Sequence, residues 1–325
     1  MNGIQGIIAL ALVLCASLSS HAQQYPSRPI KIVIGLGAGG TADTLSRYFA
    51  QKLTSALNTP VIVENKPGAG QLIAINTLIA SPPEGYTLAI LAGSAFGQGP
   101  ALRKDLTYDP LKDFSIIGVV ARAPGVIVMG KDLPVRTLRE LVNYSIANPN
   151  RLNYASAGVG AASHLQVELL ASLTGMKITH IPYKADADIM RELTAGTVQL
   201  GMSPIQGAMP HIASGKVRAL AVTGSRRNSA LPDVPSLSES DFKGLDGVDP
   251  YSYYGFVGPK GMPAARISML NDAANRIMKA PDVVSFMHER LYMEPEAGSP
   301  AAFQSFIEKD LAKWKTLSNV IKLAE

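Results

Sequence analysis

One cysteine, one tryptophan and an aromatic share of only 6% in 325 residues are what this sequence most conspicuously lacks. The cysteine, Cys15, sits in an apolar N-terminal run, so residues 23–325 contain no thiol. Disulfides, a thiolate nucleophile and a cysteine zinc site are excluded from that stretch. Charge is scarce too: 17% of residues are charged against 47% hydrophobic, a balance that neither a disordered chain nor a coiled coil would show. Thirty Lys plus Arg against twenty-five Asp plus Glu leave a formal net charge of +5, spread along the chain rather than gathered into a nucleic-acid-binding stripe. No H-E-x-x-H occurs, and His180, His211 and His288 share no i, i+4 spacing with another ligand-type residue, so no metal site is expected.

What is present begins with an apolar segment, Ile7 to Leu18, of about a dozen residues, too short for the roughly 20 that a bilayer span requires. Ser20-His21-Ala22 then places small residues at −3 and −1 of a cleavage site, which predicts a secretory signal peptide over residues 1–22. Leu14 before Cys15 argues against a lipoprotein anchor, and no later apolar run approaches a membrane span. The reading is an exported protein, most simply periplasmic.

From Pro29 onward short β-branched runs alternate with segments of helical period: strand Lys31 to Ile34, helix Ala42 to Leu57, strand Val61 to Glu64, helix Leu72 to Ala80, strand Thr87 to Ala92. Such crossovers predict a parallel sheet covered by helices. The rhythm resumes with strand Val126 to Met129, helix Thr137 to Ala147, strand Leu152 to Ala155, helix Ala161 to Leu173, and strands Thr179 to Ile181, Val198 to Met202 and Val217 to Val222. An aromatic strand, Tyr251 to Val257, and helices near Ala264 to Met278, Pro281 to Arg290 and Pro300 to Leu317 follow. The expected architecture is two α/β lobes, residues 23–124 with 224–325 forming one and residues 125–223 the other. The chain would cross between them near Ala123 to Gly130 and near Thr223 to Ser229.

Two strand–turn–helix junctions carry the chemistry. Gly35-Leu36-Gly37-Ala38-Gly39-Gly40 matches the dinucleotide fingerprint G-x-G-x-x-G, with Glu64 at about the offset of a ribose-binding acid. The same glycines could instead serve packing alone, or open the amides of Thr41, Ala42 and Asp43 to a small anion, since helix N-termini attract negative charge. The second junction runs from Ala155 through Ser156, Gly158, Gly160, Ala161, Ala162 and Ser163 to His164. It resembles a serine nucleophile elbow, but Tyr154 replaces the first glycine, and His164, the base this would need, comes from the same turn. An exported oxidoreductase using the Gly35 to Gly40 turn, or a hydrolase using Ser156, is therefore the alternative to a binding protein whose two helix starts clamp a carboxylate. Neither turn contains Arg or Lys, so uncharged donors would hold it. Trp314 lies at helical spacing with Leu311 and Leu317 and reads as core, whereas Tyr251, Tyr253 and Tyr254 are candidates to face the cleft.

The motifs taken together resemble a known family. Tyr25-Pro-Ser-Arg-Pro-Ile-Lys-Ile-Val, Gly39-Gly40-Thr-Ala-Asp43, Val63-Glu64-Asn65-Lys66-Pro67-Gly68-Ala69-Gly70, Glu84-Gly85-Tyr86-Thr87-Leu88, His180-Ile-Pro182-Tyr183-Lys184 and Leu231-Pro-Asp-Val-Pro235 occur in this order. The chain resembles the Bug family of periplasmic solute receptors, the extracytoplasmic receptors of tripartite tricarboxylate transporters. That resemblance implies a two-lobe Venus-flytrap fold, no catalysis and no cofactor. It also implies a monomer that captures a small carboxylate between the lobes and delivers it to integral-membrane permease subunits. By the same resemblance the ligand loops fall on Gly37 to Asp43, on Ser94 to Gln98 and on Ser156 to His164, with Tyr183, Ser203 and Tyr253 as further candidates. Departures from the family's usual pattern bear on ligand identity: Gly37-Ala38 where prolines are usual, Gly99 for an Asn, Ala185 for a Gly, Ser203 for an Asp, Tyr253 for a Trp.

Overall fold

The computed structural model describes residues 25–149, 151–223, 227–245 and 251–317. The expected signal peptide lies outside them, as do residues 224–226 of the second crossover.

Strand β1 (Ile30–Ile34) begins the architecture as a run buried at four of its five positions, and β2 (Val61–Asn65) and β3 (Thr87–Ala92) pair on either side of it in parallel. The connecting helices, α1 (Thr41–Leu57) and α2 (Leu72–Ile79), exist because apolar residues recur at helical spacing. In α1, Leu45, Phe49 and Leu53 are each fully buried, contributing about 1.5–3 kcal/mol apiece. Phe49 meets Phe256 edge-to-face at 5.3 Å, fixing the helix to its sheet.

The expectation of a wholly parallel first sheet is corrected here. The aromatic strand β9 (Tyr251–Pro259) inserts antiparallel between β3 and the long strand β4 (Phe114–Gly130). It can do so because the chain returns to this sheet only after building the second half. β4 pairs with β9 from Phe114 to Pro124, then with β7 (Leu200–Pro204) from Gly125 and with β8 (Val217–Val222) from Val126. Beyond β7 the second half continues in parallel through β5 (Asn153–Ser156) and β6 (Thr179–Pro182), giving the order β2-β1-β3-β9-β4-β7-β5-β6. A two-residue strand, β10 (Glu294–Pro295), adds to β4 at Ala121 and Arg122.

The short helix α3 (Gln98–Leu102), then α4 (Leu138–Ala147) and α5 (Ala162–Thr174), precede two helices that the sequence reading missed, α6 (Asp186–Ala195) and α7 (Ile205–Ala213). Their starts explain the omission. The acidic run at Asp186 and Asp188 reads as a loop, yet Asp188 reaches back to accept from the Lys184 and Ala185 amides and caps α6. In α7 the prolines at 204 and 210 interrupt the period. At the C-terminal end come α8 (Ala264–Lys279), α9 (Pro281–Phe286) and α10 (Pro300–Leu317). Trp314 on α10 is 1% exposed and packs as core.

The β4–β9 ladder shifts register between Ile116 and Gly118, leaving Ile117 as an extra residue whose carbonyl has no strand partner. Asn271 of α8 supplies one: its Nδ2 donates to Ile117 O at 2.7 Å and to Gly298 O at 2.8 Å. Asn271→Leu should therefore cost about 1–3 kcal/mol through the orphaned Ile117 carbonyl, since Gly298 O keeps Asn275 Nδ2 as a donor. A urea midpoint equal to wild type would refute this.

Candidate functional site

Where β4 exchanges β9 for β7, a cavity of about 510 Å³ of atom-free space opens, counting the part continuous with solvent. That is in the range of small-molecule sites. Its floor is Ala123 and Gly125 of β4 with Met202, Ser203 and Pro204 of β7, and its walls come from both halves of the sheet. Leu36, Gln71, Ala92, Ser94, Ser252 and Tyr254 stand on one side, and Ala157, Ala161, Ala162, Ser163, Gln166 and Asp186 on the other.

Six of the residues singled out from sequence meet at this cavity: Ser94, Ala161, Ala162, Ser163, Ser203 and Tyr254. The first turn of α5 supplies three of them, and there the amides of Ala162 and Ser163 have no carbonyl partner, as the first amides of a helix must not. The Ser163 hydroxyl accepts from the Ala157 amide at 3.0 Å, which pins the turn. Ser94 is buried and accepts at 2.8 Å from Gln71 Nε2, while Gln71 Oε1 accepts from the Ala92 amide at 2.9 Å. Among the described residues no Lys, Arg or His lines the cavity. Arg103, which packs against Gly160, is held by Asp105 and by the Ala69 carbonyl.

The other candidates stand elsewhere. None of Gly39, Gly40, Thr41, Ala42 and Asp43 is among the lining residues. Asp43 closes its own turn: its carboxylate accepts from the Gly39 amide, from Arg47 and from Asn65, each at 3.0 Å, and these bonds hold its pKa below the usual carboxylate value although burial opposes them. A negative charge thus already occupies the turn that the dinucleotide reading would fill with phosphate. Glu64, the ribose-binding candidate, is paired to Lys31 and Lys66. Thr41 instead reaches across to the second half, its hydroxyl donating to Gln206 Oε1 at 2.8 Å. Gln98 is buried with its Oε1 unpartnered, outside the cavity, and Tyr183 lies beside Glu192.

Tyr253 corrects the expectation of a cleft-facing aromatic. Successive side chains of a strand alternate, and β9 directs Ser252 and Tyr254 to the cavity and Tyr253 to the opposite face. There it packs with Phe96, Phe303 and Phe306 and donates to Asp310 Oδ2 at 2.7 Å. Tyr253→Phe should lower stability by about 1–3 kcal/mol, the cost of a lost bond to a charged group, and leave ligand preference unchanged in a competition assay.

The Ser156 elbow pairs differently from the sequence reading. Ser156 Oγ lies 2.6 Å from His180 Nε2, not from His164, and the residue has no exposed surface, so it cannot meet a substrate as a nucleophile. His164 Nδ1 accepts from the Gly160 amide at 3.1 Å. The two imidazoles stack at 4.1 Å, with Tyr154 stacked on His180 at 4.8 Å. Burial pushes His164 down to about 3, helped by His180 and Arg103, and burial alone pushes His180 down to about 4. Unfolded imidazoles take up protons near pH 6.5, so this pair's contribution to stability is complete above that pH and is lost as pH falls toward 4. The double substitution His164→Gln, His180→Gln should flatten the fall in urea midpoint between pH 7 and pH 4.5. An unaltered slope would show that the pair titrates normally.

Two α/β halves joined at an intervening cavity define the two-lobe periplasmic-binding-protein fold. Residues 45–323 match the tripartite tricarboxylate transporter family receptor, and the chain belongs to that family. Among solved structures it is similar to the periplasmic binding protein BugD, with 32% identity and a TM-score of 0.85 over 92% of this chain and 100% of that one. It is similar as well to two Rhodopseudomonas palustris proteins at 28% identity. Rpa4515 with adipate has a TM-score of 0.86 over 91% of this chain and 98% of that one. MatC with bound malate has 0.85 over 92% and 100%. These relatives are binding proteins. Among the described residues no helix is long and apolar enough to cross a membrane.

Gln71, Gln166, Asp186 and Ser252 were not picked out from sequence. Only Gln71, immediately after the Pro67 to Gly70 loop, had a local signal that could have marked it.

Proposed function

We propose that this protein is an exported, monomeric receptor that captures a small organic carboxylate in the cavity. It would release its ligand to the integral-membrane permease subunits of a tripartite tricarboxylate-type transporter, acting in the periplasm after removal of residues 1–22 and carrying out no chemistry. One observation carries the reading: the start of α5 opens into the cavity with the Ala162 and Ser163 amides unpaired and, among the described residues, no cationic side chain lining it to take their place. A ligand carboxylate placed there satisfies both amides and meets the positive end of the helix. Ser94, Ser163 and Ser203 would add hydroxyl donors, while Ser156, Gly158, Gly160 and His164 shape the turn that presents the amides. Three or four charge-assisted bonds of about 1.5–3 kcal/mol each reach the roughly −8 kcal/mol of micromolar affinity. The adipate and malate in the R. palustris relatives support this ligand class.

Closure would follow the change of partners in β4, with residues 125–223 forming one lobe; the segment 227–245, expected with the first lobe, packs through Leu231, Leu237 and Leu245 into the cores of the second half and would move with it. Thr41 would then act at the rim through Gln206 rather than on the ligand.

In a thermal-shift screen of mono-, di- and tricarboxylates, a ligand at a hundredfold excess over its Kd should stabilise the protein by about 2.7 kcal/mol, and its methyl ester should do so far less. Ala162 is the first residue of α5, where proline is tolerated. Ala162→Pro removes one free amide, so it should weaken binding at least tenfold with stability held within about 0.5 kcal/mol. Esters as potent as the acids, or an Ala162→Pro variant that binds like wild type, would refute the proposed anchor.

A further inference from the structure

Among the described residues the cavity is lined by one charged group, and no opposite charge lines it. Asp186, the first residue of α6, is 9% exposed and lines the cavity, yet its carboxylate accepts no hydrogen bond from any described residue. Its neighbour Asp188 shows the ordinary alternative, with both oxygens engaged by the Lys184 and Ala185 amides and by Arg191. Across from Asp186, the Tyr254 hydroxyl of β9 is pushed up by burial and then by the Asp186 charge, which places the two groups in each other's field. Gln166 of α5 is 5% exposed and, like Tyr254, makes no side-chain hydrogen bond to another described residue. Three buried polar groups are thus turned to one space that, among the described residues, is lined by no Lys, Arg or His. A buried carboxylate with no partner costs several kcal/mol of desolvation. Burial pushes Asp186 up to about 6, which leaves it mainly ionised at pH 7.

A second carboxylate on the ligand would add to this charge, and an ammonium group would neutralise it. We propose that Asp186 selects the ligand, and that the ligand carries an ammonium group beside its carboxylate. The inference rests on the carboxylate reading above: the carboxylate sits on the Ala162 and Ser163 amides, the ammonium pairs with Asp186, and the Gln166 carbonyl and Tyr254 hydroxyl accept its remaining N–H groups.

Calorimetric titration of the mature protein at pH 7.5 with two matched series tests this: ω-amino acids of three to six carbons, and dicarboxylates of the same chain lengths. A charge-assisted pair predicts that the best amino acid binds about ten- to a hundredfold tighter than its dicarboxylate counterpart. Asp186→Asn keeps the shape and removes the charge, so it should abolish that preference and raise dicarboxylate affinity. It should also raise the melting temperature of the ligand-free protein, because a strained buried charge has gone. That readout holds whichever ligand is used. Dicarboxylates preferred by wild type, with the ranking unmoved in Asp186→Asn, would overturn the assignment of Asp186 and leave the carboxylate receptor standing. Binding of neither series by folded protein would overturn the carboxylate reading and this inference together.

Discussion

A strand cannot leave its backbone unpaired inside a protein, and β4 meets that requirement by changing partners midway. Up to Pro124 its ladder is with β9, and from Gly125 it is with β7 and β8. The exchange falls where it costs least. Pro124 has no amide to satisfy, and the amide of Gly125 is taken by Thr223 Oγ1 at 2.8 Å while its carbonyl accepts from the Thr223 amide at 2.9 Å. Two sheets that diverge from one strand cannot pack face to face at the divergence. The gap they leave is the cavity, floored by Ala123, Gly125 and Pro204. Everything that decorates the site arrives at the ends of strands that stop at this line.

The two helix starts look alike in sequence and differ in electrostatics. At α1 the helix's own Asp43 turns back onto the Gly39 amide, so the positive end is already neutralised from within. At α5 no acid lies in the first turn, and the polar groups there, Ser163 and His164, bond the Ala157 and Gly160 amides that precede the helix. Those bonds hold the turn rigid and leave the Ala162 and Ser163 amides open. Of these two helix starts, only that of α5 therefore offers an unguarded dipole. The buried neutral stack of Tyr154, His180 and His164 beneath it keeps competing charge away from that end.

Element types and the two-lobe scheme were legible because apolar residues alternate clearly between periods of two and 3.6, as in Ile30 to Ile34 and in Leu45, Phe49 and Leu53. Strand polarity was not. Nothing local in Tyr251 to Pro259 says that it will run antiparallel between β3 and β4, because the reason lies in the return path of a chain that has first built the other half. The site was half legible for a related reason. A glycine turn before a helix announces an open N-terminus, which pointed to Ala161 to Ser163, and the structure places these residues at the cavity. It cannot announce that Asp43 four residues on will fill the other turn. Nor can it fix the parity of β9, on which the roles of Tyr253 and Tyr254 depend: one residue of register would exchange them.

Above the cavity the two halves touch lightly. The Thr41 to Gln206 bond is a side-chain hydrogen bond across this rim, and beside it the backbones approach where a side chain could not fit. A Cβ at Gly37 would stand 2.9 Å from the Ala185 Cβ, and one at Gly70 would stand 2.6 Å from the Val159 carbonyl, at a φ of +61° that also favours glycine. One neutral hydrogen bond contributes only about 0.5–1.5 kcal/mol net. Such a rim cannot hold the halves together against the hydration of a cavity containing Asp186, Gln166 and Tyr254 with no protein partners. Under the proposed function, a ligand that satisfies those polar groups would favour the closed arrangement more than this one rim bond does.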